Sequence, residues 1–149
     1  MNRFRFRLQS VLRYRGAQEE TKKREFGTVL GHLHHEEETY DRIVDTMKRH
    51  DDFREKTGKG IISTRNLINN FNYSRFLERK KFSQAKTVEK AQKSVDEKRS
   101  ELVEATKKKK TLERLKERKL DEHTMAVIKE EQALIDEIAT QSYANNDRE

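Results

Sequence analysis

The chain has 149 residues, of which 41% are charged and 32% hydrophobic, and its formal net charge is +7. It contains no proline and no cysteine, so no residue forces a break in a helix, and disulfides and thiolate metal sites are excluded. The low apolar content excludes an ordinary globular core, and the fine interleaving of acids and bases argues against full disorder. The composition predicts an all-α protein built from long, surface-rich helices.

Membrane-spanning and secretory segments are also excluded. The longest apolar runs are pairs such as Val127-Ile128, far short of the roughly 18 residues that span a bilayer. The arginine-rich start lacks the apolar region and the small-residue cleavage site of a secretory signal. We therefore expect a cytoplasmic protein that is stabilised by helix packing or by a partner.

The first predicted helix covers about residues 4–56. Its run FRFRLQSVLRYR has the layout of a basic amphipathic helix. The apolar face is expected to pack on the second helix, and a peripheral contact with anionic lipid remains possible. Apolar residues then recur at spacings of three and four, with Glu36 on the same stripe: Phe26, Val29, Leu33, Tyr40, Ile43 and Met47.

No catalytic or cofactor site is expected. His34 and Glu38 share a helix face but give two ligands at most, whereas zinc requires three or four from more than one segment. The segment Gly58-Lys59-Gly60 lacks the spacing of a nucleotide-binding loop. Since no nucleophile stands beside a base, we expect a protein that is not an enzyme and holds no metal or cofactor.

A turn is predicted at residues 57–63, because two glycines two positions apart supply the backbone freedom that a helix reversal needs. Ser63 or Thr64 then stands at the N-cap of a second helix, about residues 64–140. Two apolar sets repeat along it every seven residues in different phases, joined by a stutter near Leu115. They comprise Val88, Val95 and Leu102, then Leu120, Val127 and Leu134.

The two helices are expected to form one antiparallel coiled-coil hairpin, a single domain over residues 1–149. Pairing residue 56 with residue 64 places the N-terminus beside residue 116. The rest of the second helix would then lack a partner, and residues 141–149 would form a loose tail.

Charge is distributed unevenly along this hairpin. Residues 1–15 contain five arginines and no acid, and residues 105–119 contain eight basic groups against two acidic ones. The predicted pairing puts both segments together with a net charge of about +11, whereas residues 120–149 have a net charge of −6. Adjacent like charges indicate a match to an acidic surface elsewhere, with simple solvation as the alternative.

Aromatic residues gather just after the turn, at Phe71, Tyr73, Phe76 and Phe82, beside Leu77. Most are expected in the local core, with Phe53 opposite them. A two-helix hairpin cannot hide aromatic rings on every face, so one or two of the first three are candidate anchors for a partner.

Three segments resemble the FliJ family of the bacterial flagellar type III export apparatus. The run FRFRLQSVLRYRGAQEE is similar to the family's opening of aromatic-x-Phe-x-Leu-Gln-x-Val-Leu-x-x-Arg followed by Glu. The glycine turn at Gly58 to Ile61 is similar too, with Tyr73 and Phe76-Leu77 soon after it. So is the run LERLKERKLDEH before an acidic C-terminus.

The resemblance implies a hairpin similar to the central stalk of rotary ATPases and a role without catalysis. Its implied partners are the hexamer of the export ATPase FliI, the export-gate protein FlhA and export chaperones, with no nucleic acid. The implied ATPase-ring contact comprises Arg3, Arg5, Arg7, Leu8, Gln9, Leu12, Arg13, Arg114 and Arg118. The implied gate contact comprises Phe71, Tyr73, Phe76 and Leu77, with Lys80 where relatives carry an apolar residue. The protein would then lie at the inner face of the cell membrane at the flagellar base.

Three alternatives stay open at this point. A nucleic-acid-binding coiled coil would explain the pI near 9.6 and the four lysines from Lys107 to Lys110, although carboxylates interrupt the basic helix. The equivalent stalk of a virulence secretion system would share the architecture. A generic homodimeric coiled coil would share the periodicity, but the glycine turn favours an intramolecular hairpin.

Overall fold

The computed structural model describes residues 3–58 and 63–146, with side chains up to residue 141. Two helices make up nearly all of this part: α1 spans Gln9–Thr57 and α2 spans Thr64–Asn146. The described residues contain no β-strand. The all-α helical hairpin expected from the sequence is therefore confirmed.

The start of the chain differs from the prediction, because α1 begins at Gln9 rather than near residue 4. Residues 3–6 have no helical structure, and the Gln9 N–H donates to the Phe6 carbonyl oxygen at 3.2 Å. Arginine and phenylalanine alternate here, and alternate residues of an extended chain point to opposite sides. Phe4 and Phe6 are half-buried, while the residues between and beside them are exposed: Arg3, Arg5 and Arg7.

The two helix ends beside the predicted turn agree closely with the sequence, whereas the end of α2 does not. At the end of α1, the Gly58 N–H donates to the Arg54 carbonyl oxygen at 2.8 Å, and at the start of α2 the Leu67 N–H donates to Ser63 at 3.1 Å. Most of the predicted reversal, residues 59–62, lies outside the described residues. Helix α2 continues through Asn146, six residues beyond its predicted end, and residues 147–149 of the predicted tail also lie outside.

The described residues divide into two compact units. In the unit Glu20–Val103, α1 and α2 run antiparallel: the Lys22 ammonium meets the Glu101 carboxylate at 2.8 Å, and the Ser74 hydroxyl lies 3.4 Å from the His50 Nδ1. The buried side chains of the described part all lie in this unit, at Leu33, Leu77 and Val95. The predicted stripe around them is half-buried, so the core is a thin seam.

Glu36 is a polar residue on that seam, and it forms hydrogen bonds with the opposite helix. The side-chain amide of Gln84 donates to the backbone oxygen of Glu36 at 3.1 Å and also to its carboxylate. The Glu36 side chain is 19% exposed, and a half-buried carboxylate is costly unless it is hydrogen-bonded. Glu36, which interrupts the apolar stripe of α1 in the sequence, is therefore paired with Gln84 of α2.

In the unit Met1–Glu19 with Glu104–Glu149, the Phe4 ring packs edge-on against the His123 ring with centroids 5.6 Å apart. The sequence placed the N-terminus beside residue 116, so the contact lies farther along α2 than predicted. An extended residue advances about 3.3 Å against 1.5 Å in a helix. The non-helical start therefore reaches farther than the predicted helix would.

Candidate functional site

The first candidate surface is the basic zone, defined as residues 3–15 and 105–119. A cavity of 710 Å³ opens there, with Phe4 and Phe6 in its wall. Four cationic side chains line it, two from the non-helical start, one from α1 and one from α2, and no carboxylate does: Arg5, Arg7, Arg13 and Lys116. The predicted convergence of the two basic segments is therefore observed.

A second groove of 1010 Å³ adjoins the same N-terminal segment. Its apolar wall comes from Phe4, Phe6, Leu8 and Leu115, and its cationic rim comes from Arg3, Arg5, Arg7 and Lys119. Glu122 and His123 complete the lining. The groove therefore combines apolar surface with positive charge.

Cations of the basic zone fall into two groups. The Lys109 ammonium is 2.8 Å from the Glu19 carboxylate, and this hydrogen bond raises the Lys109 pKa. The Lys119 ammonium is 2.6 Å from Glu122 and lowers the pKa of that carboxyl. Within the described part of the chain no ion pair involves the cations that line the 710 Å³ cavity: Arg5, Arg7, Arg13 and Lys116. Their positive charge is available to an acidic ligand.

The residues predicted for a ring contact are only partly brought together. Leu8, Gln9 and the N-terminal arginines line the two openings, whereas Leu12 is half-buried outside them. Arg114 and Arg118 line neither, and Arg118 is 3.5 Å from the Glu122 carboxylate.

Two lysines that the prediction of a ring contact omitted line these openings, Lys116 and Lys119. A helix places residues three and four apart on one face. Lys116 lies four residues after Leu112, and Lys119 lies four residues after Leu115. Both leucines are half-buried. The sequence signal was therefore the position of each lysine relative to the apolar stripe.

The second candidate surface is the aromatic cluster, defined as Phe71, Tyr73, Phe76 and Phe82. These side chains are exposed by 59%, 41%, 47% and 64%, so the expectation that most of them form the local core is wrong. Phe53, expected opposite them, is also exposed. The physical reason is that two paired helices share a single contact seam, and these rings lie beside or away from it.

Leu77 differs from its aromatic neighbours because it is 5% exposed in the helix contact. As predicted for a local core residue, it packs between the helices. Its side chain therefore offers a partner little surface, unlike the exposed rings beside it in the gate contact that the resemblance implies.

Each exposed phenylalanine of the cluster has a cation one helical turn later. The Lys80 ammonium lies 4.9 Å from the Phe76 ring centroid, and the Lys86 ammonium lies 4.4 Å from that of Phe82. The Arg75 guanidinium is 5.8 Å from the Phe71 ring. Such cation–π contacts leave the ring faces covered by positive charge, so the surface suits a partner with apolar and acidic groups.

The aromatic rings do not form one continuous face. Tyr73 stacks near Phe76 with centroids 6.3 Å apart, and its other neighbour is the His50 ring at 4.9 Å. Phe71 and Phe82 are eleven residues apart, about three helical turns, and therefore share a different side of α2. Tyr73 and Phe76 thus form the contiguous pair within the cluster.

The histidine-rich segment forms local contacts with glutamates one helical turn away. The His32 Nδ1 is 3.6 Å from Glu36 and the His34 Nδ1 is 3.3 Å from Glu37, whereas the sequence suggested His34 with Glu38. The described residues bring together no group of three or more candidate metal ligands. Neither helix has, over its described residues, the apolar length needed to cross a membrane.

The fold and these surfaces define a class of protein: a two-helix hairpin whose exposed cations and aromatic rings are suited to contacts with other proteins. The family model described as Flagellar FliJ protein matches residues 4–148. The chain therefore belongs to the FliJ family and is a component of the flagellar export apparatus. No curated protein and no solved structure matches it.

Proposed function

We propose that the chain acts without catalysis as the central stalk of the export ATPase ring of FliI, with the basic zone as the ring contact. The observation that carries this proposal is the set of arginines and Lys116 around the 710 Å³ cavity, which have no ion-pair partner in the described part. Concentrated, unneutralised charge attracts an oppositely charged surface and speeds its association. Family membership supports an export partner for that surface.

The contiguous pair Tyr73 and Phe76 of the aromatic cluster is the proposed contact with the export gate, FlhA, and it also offers a surface to export chaperones. Tyr73 and Phe76 form the proposed centre of the gate contact, since exposed aromatic residues are common anchors of protein interfaces. A stalk that holds both contacts would link the ATPase cycle to the gate at the cytoplasmic face of the membrane. Because one stalk in a sixfold ring cannot contact all subunits equally, such a link is inherently asymmetric.

The test is ATP hydrolysis by purified FliI with and without the chain, followed by electron microscopy of the rings. We expect stimulation at about one chain per six ATPase subunits. The variant R3Q/R5Q/R7Q/R13Q should lose most of the stimulation while keeping its helical circular dichroism, because all four side chains are exposed.

The matched control is K48Q/R49Q/K90Q/R99Q, which removes the same charge from exposed positions in the unit Glu20–Val103. This variant should stimulate as the unmodified chain does. Equal losses of stimulation in both variants would mean that stimulation depends only on the net charge of the chain. Full stimulation by the arginine variant would refute the assigned ring contact.

A further inference from the structure

The end of α2 is an exposed acidic helix, here called the acidic stretch and defined as residues 124–141. Each of its side chains is exposed apart from the half-buried Val127. It carries four carboxylates against the single cation Lys129: Glu130, Glu131, Asp136 and Glu137. None of these carboxylates has an ion pair with another described residue, so their charge is open to a partner.

The acidic stretch also presents apolar side chains at helical spacing. Val127, Leu134 and Ile138 follow one another at seven and four residues, which places them on one side of α2. Leu134 is 58% exposed and Ile138 is 59% exposed, with the neighbouring Ile135 at 64%. An amphipathic helix whose apolar side faces water is typical of a surface that another protein covers.

The same compact unit contains a groove with the opposite charge. The 1010 Å³ groove has an apolar wall of Phe4, Phe6, Leu8 and Leu115, and arginines form its rim. The acidic stretch offers apolar groups flanked by carboxylates, so the two surfaces are complementary in polarity and in charge.

A chain cannot satisfy this complementarity with its own groove. Helix α2 is unbroken from Thr64 to Asn146, and the chain contains no proline that would kink it. The acidic stretch therefore continues away along the helix that carries Leu115 and Lys119, rather than folding back on them. A second copy, by contrast, can approach in the antiparallel direction.

We propose that two copies of the chain form a twofold-symmetric dimer in which the acidic stretch of each lies against the 1010 Å³ groove of the other. Twofold symmetry makes the contact reciprocal, so each dimer contains it twice. The occupant is a second copy because the chain itself supplies both complementary halves. Where the proposed ring contact also holds, this dimer covers the arginines assigned to it and competes with the ATPase.

The first measurement is sedimentation equilibrium of the full chain at low and high salt. We expect a dimer at about 50 mM NaCl that dissociates towards monomer at about 500 mM, since exposed charges are screened over a few ångströms at high ionic strength. A monomer at low salt and high protein concentration would overturn the proposal. So would a dimer whose dissociation constant does not change with salt.

The second measurement reverses the charge of the acidic stretch in one variant and the charge of the groove in another. The variants E130K/E131K/D136K/E137K and R3E/R5E/R7E/K119E, the second at the cations of the 1010 Å³ groove, should each raise the dimer dissociation constant at least tenfold. An equimolar mixture of the two should form a heterodimer, because both reciprocal contacts regain opposite charges. Circular dichroism verifies that each variant is helical. If a variant is not helical, the salt dependence of dimerisation by the unmodified chain tests the proposal instead.

The matched control D41K/D45K/D52K/E97K reverses four exposed acids in the unit Glu20–Val103. This control should dimerise like the unmodified chain. A dimer that survives either charge reversal, or a mixture that stays monomeric while both variants are folded, would overturn the proposed interface. These experiments contain no ATPase, so their failure would leave the stalk proposal intact.

Discussion

The two compact units use charged side chains in different ways. In the unit Glu20–Val103, Lys22 and Lys98 from opposite helices each contact both Glu25 and Glu101, at N···O distances of 2.8–3.1 Å. In the other unit, the arginines around the 710 Å³ cavity have no ion pair within the described part of the chain. The second unit also has an ion pair between its helices, Lys109 with Glu19, but it adds a group of cations that have no ion pair with a described residue.

Apolar side chains follow the same division. Leu33, Leu77 and Val95 are buried in the unit Glu20–Val103, whereas Leu134, Ile135 and Ile138 are more than half exposed in the other. Partly exposed ion pairs add little net stability, so the buried seam must hold the paired helices. The buried seam therefore lies in the unit Glu20–Val103, which also exposes the aromatic cluster, whereas the other unit has no buried side chain among its described residues.

The largest expected effect tests that seam. Leu77→Ala removes a 5% exposed side chain and should lower the free energy of unfolding by about 2–3 kcal/mol, the low end for a buried leucine because half-exposed neighbours can relax. Urea unfolding followed by circular dichroism measures it. The matched control Phe82→Ala removes a 64% exposed ring and should change stability by less than about 0.5 kcal/mol. Equal losses would contradict the assignment of the core.

The next effect has the opposite sign. Gly27 and Gly31 lie on the exposed side of α1, and a Cβ added at either meets no atom within 4 Å. Replacing a helical glycine by alanine restricts the unfolded chain, so Gly27→Ala and Gly31→Ala together should stabilise the chain by about 1–2 kcal/mol. Thermal unfolding measures the gain.

Gly58→Ala is the control for that prediction. A Cβ at this position would lie 2.9 Å from the Arg54 backbone oxygen, so it should give no stabilisation. A similar gain at all three positions would show that packing around the backbone is irrelevant to the effect.

Much of the paired region could be predicted from the sequence. The spacing of Leu33 and Val95 within their stripes reports burial directly, because only one face of each helix contacts its partner. The absence of proline predicted two long helices, and the start of α2 was placed at Thr64, where the structure has it.

The candidate surfaces were harder to predict. Hydrophobicity predicted a core position for Phe71 and Phe82, but their exposure depends on which side of α2 the seam occupies. The alternation of Phe4 and Phe6 with arginines has the period of an extended strand, and the helical interpretation overlooked it. These outcomes depend on contacts between distant segments, which local periodicity does not report.

A smaller effect concerns the aromatic cluster. Phe76 is 47% exposed, so Phe76→Ala should leave stability nearly unchanged while weakening the proposed binding to FlhA about tenfold, a loss of about 1.4 kcal/mol. Isothermal titration calorimetry measures it. Phe82→Ala is the control because its ring lies on a different side of α2. If Phe76→Ala binds FlhA with unchanged affinity, the face of α2 that carries Phe76 is not part of the proposed gate contact.

The smallest effect sharpens the role of the cross-helix charges. Hydrogen bonds from Lys22 and Lys98 lower the pKa of the Glu101 carboxyl, so near this pKa the folded chain binds fewer protons than the unfolded chain. The resulting stability is fully present above the unfolded-state pKa of about 4.3 and is lost as pH falls through the lower folded-state value. The thermal midpoint should therefore fall between about pH 6 and pH 3.

Glu101→Gln should make that acid-side fall shallower, because the glutamine cannot bind a proton in this range. Glu97→Gln is the matched control, since Glu97 is an exposed glutamate of the same helix that forms no ion pair with another described residue. Thermal unfolding of the three proteins across the pH series measures the difference. Identical curves would mean that the Lys22–Glu101 pair does not differ between the folded and unfolded chains. The Lys22–Glu101 pair would then add nothing to the stability that the buried apolar seam supplies.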